Sequence, residues 1–254
     1  MGKIIVVSSG KGGTGKTTTV AAVASCLASP ALGYKTLCVD FDAGLRNLNF
    51  SLGMPESHSV TDFTDVLRGW KNLDSAYKEC NKELPGLYFL PAPAFKIPGE
   101  FSDEELAAIP NLFGKIREEF DYCLIDAPSG IGKGFSLSHT RADMAIIVTT
   151  GETPSLKGAE RAAQSIREMG IPDVRLLINR VQVGNFKIME RTVDDIIDTI
   201  GARLIGIVCE DKYVFRALHE GLPLILYNKR RAALEFLDVA RRITGEDVPL
   251  HVRT

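Results

Sequence analysis

The stretch "KIIVVSSGKGGTGKTTTV", Lys3–Val20, decides the fold. Ile4, Ile5, Val6 and Val7 form a short β-branched apolar run, the signature of a buried strand. Gly10, Gly15, Lys16 and Thr17 then satisfy G-x-x-x-x-G-K-[ST]. Beyond them Val20, Ala24, Leu27 and Ala28 fall at i, i+4, i+7 and i+8, one apolar helix face. Strand, glycine-rich turn and helix are the parts of a phosphate-binding loop. Glycines let successive backbone N–H groups turn inward into an anion nest that side chains would obstruct. The helix start adds the positive end of its dipole. Lys16 then meets β/γ oxygens as a point charge, and the Thr17 hydroxyl is a ligand for Mg²⁺. Gly12, Gly13, Thr14, Gly15, Lys16, Thr17 and Thr18 are therefore the expected nucleotide contacts. A second lysine, Lys11, opens the same turn on the opposite side of the nest. Two ammonium groups brought onto one γ-phosphate would crowd like charges.

Outward from this loop, short apolar runs alternate with helical segments: "KTLCVDF", "LYFLPA", "YCLID", "MAIIVTT", "VRLLINRV" and "RLIGIV" read as strands. Their continuous apolar character suits strands covered on both faces. "TPSLKGAERAAQSIREMG" reads as a helix with Thr153 as N-cap, Pro154 at the first helical position and Gly170 as its stop. "RRAALEFLDVARRITG" puts Ala233, Phe236, Leu237 and Ala240 on one side, with Gly245 closing it. The expected fold is α/β, a doubly wound and mostly parallel sheet flanked by helices. "PAPAFKIPGEFSDEE", residues 91–105, reads as a surface loop and not a boundary, so residues 1–254 are expected to form one domain.

Composition fits a globular protein: 254 residues, 45% hydrophobic and 24% charged. A net charge of −2 carries no basic excess, so no specific nucleic-acid partner is expected. Five cysteines with no C-x-x-C argue for free thiols in a reducing cytoplasm. No secretory cleavage pattern precedes the glycine loop, and the longest apolar runs are far too short to span a bilayer.

Acidic residues close two strands. Asp40 and Asp42 follow the second, and Asp126 ends an apolar run as a Walker B carboxylate does. Strand ends of an open α/β sheet are where ligands gather, and a hydroxyl with carboxylates suits octahedral Mg²⁺. Asn179 ends a later strand, where its amide can pair with both edges of adenine. Arg180 follows it, and Asp211 lies after the next strand.

"KGGTGKTT", Lys11–Thr18, resembles the deviant Walker A motif of the ParA/MinD superfamily of ATPases. "DFDAGLRNLN" and "IDAPSGI" resemble that superfamily's switch I and switch II, and the likeness extends over nearly the whole chain. The resemblance implies that Lys11 is the signature lysine, reaching across a dimer interface to the partner's nucleotide. It implies catalytic roles for Lys11, Lys16 and Asp42, with Asp42 orienting the attacking water. It places Asp40 behind the metal's direct ligands and lets Asp126 hold Mg²⁺ through water, alongside Thr17. Asn179, Arg180 and Asp211 resemble its adenine and ribose positions, although Cys209 stands where the family usually has proline. An ATP-dependent homodimer, a protein activator and a division-inhibitor effector follow, for a protein that times placement of the division septum. The alternatives are a DNA-partitioning ATPase or a flagellar-number regulator of the same superfamily. Iron–sulfur carriers of that superfamily pair cysteines in patterns missing here. The stretch "TGEDVPLHVRT", residues 244–254, carries Pro249 and no basic amphipathic face, so peripheral membrane attachment has no visible anchor in it.

Overall fold

The computed structural model describes residues 1–42, 47–54, 61–93, 101–182 and 192–250. Residues 43–46 of the switch I stretch, 94–100 of the proline-rich stretch and 251–254 lie outside them. Eight strands appear among the described residues. They are β1 (Lys3–Ser8), β2 (Thr36–Asp40), β3 (Lys78–Glu79), β4 (Leu87–Leu90), β5 (Tyr122–Asp126), β6 (Met144–Thr149), β7 (Asp173–Val181) and β8 (Arg203–Cys209). The helices of the first half are α1 (Lys16–Ala28), α2 (Leu48–Ser51), α3 (Phe63–Leu67), α4 (Leu73–Ala76) and α5 (Asp103–Glu119). Those that follow are α6 (Lys133–Ser138), α7 (Thr153–Glu168), α8 (Val193–Ile200), α9 (Lys212–His219), α10 (Leu224–Tyr227) and α11 (Ala232–Thr244).

The strands form one sheet in the order β3-β4-β2-β5-β1-β6-β7-β8, parallel throughout except for the β3–β4 pair. β1 is central, paired with β5 on one side and β6 on the other. Its side chains alternate: Ile5 and Val7 enter the core under α1 and α11, Ile4 and Val6 the core under α3 and α5. Ala145 and Ile147 of β6 meet α7 and α8 in a third cluster. Both faces of the sheet are covered, which is why its strands lack polar alternation.

All seven strands expected from sequence are present, and β3 is an added two-residue edge strand. The end of the expected proline-rich loop is instead helical. Ser102 caps α5 by accepting from the Glu105 amide, while Glu105 Oε2 accepts from the Ser102 amide at 2.9 Å. That reciprocal pair is a capping box, and it starts a helix in spite of Pro110 inside it. At α7 the cap is Glu152 and Thr153 is already helical. Among the described residues the Thr153 hydroxyl caps no amide, and the helix begins one residue earlier than expected. The five cysteines are free thiols, four of them buried. Burial raises the pKa of each, that of Cys209 to about 12. Among the described residues no helix is long and apolar enough to cross a membrane.

Candidate nucleotide site

The loop between β1 and α1 sits at the carboxyl end of the central strand, where neighbouring strands β5 and β6 also end. Gly13 and Gly15 have φ of 80° and 92°, the left-handed region that β-carbons disfavour. Gly10 serves a different need: a Cβ there would lie 1.9 Å from the Gly158 backbone of α7. The phosphate loop and α7 thus touch backbone to backbone. At Gly12 a Cβ would meet nothing within 4 Å. These two positions separate folding from binding. Gly10→Ala is expected to lower stability by about 2 kcal/mol through overpacking. Gly12→Ala should leave the denaturation midpoint unchanged and weaken nucleotide binding by intruding on the cradle, as parallel denaturation and titration experiments would report.

The two lysines do not share a cavity. Lys16, 8% exposed, lines one of about 410 Å³ together with Gly13, Gly15, Thr17, Thr18, Asn179, Arg180 and Asp211. Its far end is apolar, walled by Val214, Phe215, Leu218 and Leu222. Lys11 is exposed and lines a second cavity of about 500 Å³, with Gly12, Gly13, Thr14 and the first turn of α7. Among the described residues the Lys11 ammonium makes no hydrogen bond or ion pair. Arg180 divides the two spaces: it pairs with Glu210 at 2.9 Å and donates to the Gly13 carbonyl at 3.2 Å.

The carboxylates converge from below. Thr17 Oγ1 donates to Asp126 Oδ2 at 2.6 Å, while buried Asp126 Oδ1 has no partner among the described residues. Burial pushes the Asp126 pKa up to about 6, opposed by the Thr17 bond and the Lys16 charge and reinforced by Asp42. Asp42 is half-buried; its carboxyl is raised by desolvation and drawn back by Lys16. Asp40 Oδ1 accepts the Asp42 backbone amide at 2.9 Å and so sets where that residue starts. A buried carboxylate oxygen without a donor, beside a hydroxyl and open loop amides, fits a hard divalent cation held jointly with phosphate.

At the base end, the β7–β8 register slips between Ile178 and Val181. The bulge lifts Asn179 and Arg180 out of the ladder, with Arg180 at φ 58°. Asn179 points inward, and its Nδ2 donates to the Thr14 carbonyl at 2.9 Å. Its carbonyl oxygen and second amide hydrogen are left for a base. Asp211 caps α9 through the Tyr213 amide at 3.0 Å and also accepts from the Ala232 amide at 3.4 Å. It therefore shapes the wall while its oxygens hold backbone. Cys209 donates its backbone N–H to Glu235 Oε2 at 2.8 Å, a bond that proline could not make. The bond ties β8 to α11.

Sequence reasoning missed Gly158, though an isolated glycine in a helical pattern is a cue to close packing. It also missed His139, 3% exposed just after α6. Its Nδ1 lies 2.6 Å from the Phe135 carbonyl, which only accepts, so Nδ1 carries the proton. Nε2 then accepts from the Ser8 hydroxyl at 2.8 Å. Burial lowers the His139 pKa to about 4, against the Phe135 carbonyl's raising effect. The unfolded histidine titrates near ~6.5. Between these values the unfolded chain holds a proton that the folded one refuses, so stability rises with pH across that window. Asp126, raised to about 6, slopes the other way over part of this window, so the His139 share is read as a difference: between pH 4.5 and 6.5 the stability of wild type in urea should rise relative to His139→Gln by up to about 1.4 kcal/mol per pH unit.

The glycine cradle, the buried lysine and the hydroxyl–carboxylate pair define a P-loop nucleotide-binding protein. A family model described as an AAA domain matches residues 2–172. The septum site-determining protein MinD of Bacillus subtilis is 37% identical, over 99% of this chain and 92% of the relative. Among solved structures, the MinC:MinD cell division protein complex of Aquifex aeolicus aligns with a TM-score of 0.85 at 34% identity, covering 99% of both chains. MinD complexed with Mg-ADP from Pyrococcus horikoshii aligns at 0.79 and 25% identity, covering 96% of each. The chain belongs to the MinD family of septum site-determining ATPases.

Proposed function

We propose that the chain is a Mg²⁺-dependent ATPase of division-site placement whose nucleotide state controls its pairing with a second copy. The loop amides and Lys16 hold the β/γ oxygens of ATP in the smaller cavity, with the base beside Asn179. Thr17 and Asp126 would hold Mg²⁺, which supplies charge neutralisation on the phosphate oxygens. Asp42, two residues beyond the end of β2, orients the water that attacks the γ-phosphorus. Lys11, turned to the other cavity, meets the phosphates bound by the partner copy. The observation that carries this reading is that division of labour: two lysines five residues apart line different spaces.

The whole chain acts as one domain in this account, which the single sheet running from β1 to β8 supports. The Aquifex relative's complex with MinC supports a protein partner as effector, which this reading takes as a division inhibitor, and a separate activator would trigger hydrolysis. The protein works in the cytoplasm, the compartment that its free thiols suit. ATP drives assembly because the pair binds it better than the single chain does. Sizing with Mg²⁺ and ADP should give a monomer, and with a non-hydrolysable ATP analogue a dimer. A monomer in both states overturns the pairing.

A further inference from the structure

The segment from Asp126 to His139 leaves the sheet at the end of β5, exposes Ser129, Ile131 and Gly132, and returns through α6. It is gripped at both ends by residues flanking the phosphate loop. Thr17, just after the loop, holds Asp126 at 2.6 Å. Ser8, just before it, holds His139 at 2.8 Å, and the imidazole passes the grip to the Phe135 carbonyl at 2.6 Å. Ser138 donates to the same carbonyl at 2.8 Å, and the Phe135 ring lies 4.1 Å from the imidazole. Ser8 is fully buried and lines neither cavity, whereas Thr17 is a residue that phosphate and cation would claim.

We propose that His139 is a positioning residue of the ATPase, tethering α6 to Ser8 and so holding the loop that begins at Asp126 against the phosphate loop. The role requires neutral imidazole with its proton on Nδ1, since only that form accepts from Ser8 while donating to Phe135. The tether does not depend on nucleotide or metal. It keeps the returning end of the segment fixed when the Thr17 hydroxyl is engaged elsewhere. The inference rests on the ATPase reading for its effect on turnover, but the tether itself can be measured without activity.

The test compares wild type with Ser8→Ala, His139→Leu and the double variant. ATP affinity should change by less than about threefold, because the cradle is untouched, while kcat falls about tenfold in each. The double variant should be no worse than either single one, the sign of one shared interaction. His139→Gln, which can still accept from Ser8, should recover part of the loss. Amide hydrogen exchange over residues 127–135 should speed up in the variants while that of α7 stays unchanged. Additive losses, or unchanged exchange in that segment, would overturn the proposal. If wild type hydrolyses no ATP, the functional reading fails, and the exchange data still decide on the tether.

Discussion

Lys11→Ala is expected to remain monomeric with ATP and Mg²⁺ and to hydrolyse at least about a hundredfold more slowly, about 2.7 kcal/mol of lost transition-state stabilisation. Its affinity for ATP should match that of the unpaired wild-type chain within about threefold, because Lys11 lines a space separate from the Lys16 cavity, and only the gain that pairing adds should be lost. Lys16→Ala should do the reverse and lose binding first, since its buried side chain lines the nucleotide cavity itself. Sizing and nucleotide titration on the same two variants separate these outcomes. Pairing that survives in Lys11→Ala would reduce the second lysine to a solvated side chain. Lys11→Arg keeps the charge but exchanges a compact ammonium for a planar fork, so partial pairing is expected there.

Asp42→Ala should bind ATP and pair, yet turn over about 10²- to 10⁴-fold more slowly, the usual span for a lost proton-handling or water-orienting group. Removing this carboxylate also removes a charge that raises the Asp126 pKa. Divalent-ion affinity should therefore hold or shift only slightly, which tells the loss of a water-orienting group from the loss of a metal ligand. Single-turnover assays with preformed complex would read the chemical step directly. Wild-type turnover in this variant would move the catalytic role off position 42.

Much of this site is local, and what is local was legible. Gly10 to Thr18 announce themselves because glycine, lysine and hydroxyl must occur at fixed offsets for amides to converge on phosphate. Strand ends at Asp40 and Asp126 were readable only beside the phosphate loop, since an aspartate closing a strand is by itself more often a turn former or a cap. The orientation of Asn179 was not, since it depends on a bulge against β8 that no pattern within β7 declares. The Gly10–Gly158 and Ser8–His139 contacts join segments far apart in the chain, and only the assembled sheet brings them together. α5 was hidden by Pro110 and by the proline-rich run before it, although its capping residues were in plain view. Thr153 misled for a simpler reason: a good capping residue was present, but the preceding glutamate took the cap position.

The protonated state of all five native thiols makes the molecule a quiet background for sulfhydryl chemistry. Alkylating reagents attack thiolate, and at neutral pH these groups, four buried and Cys80 partly so, present almost none. A single cysteine introduced at an exposed position, such as Ser129 beside the Asp126 loop, would be labelled selectively without first stripping the wild-type residues. Spin or fluorescent probes could then follow pairing in real time on an otherwise unaltered chain.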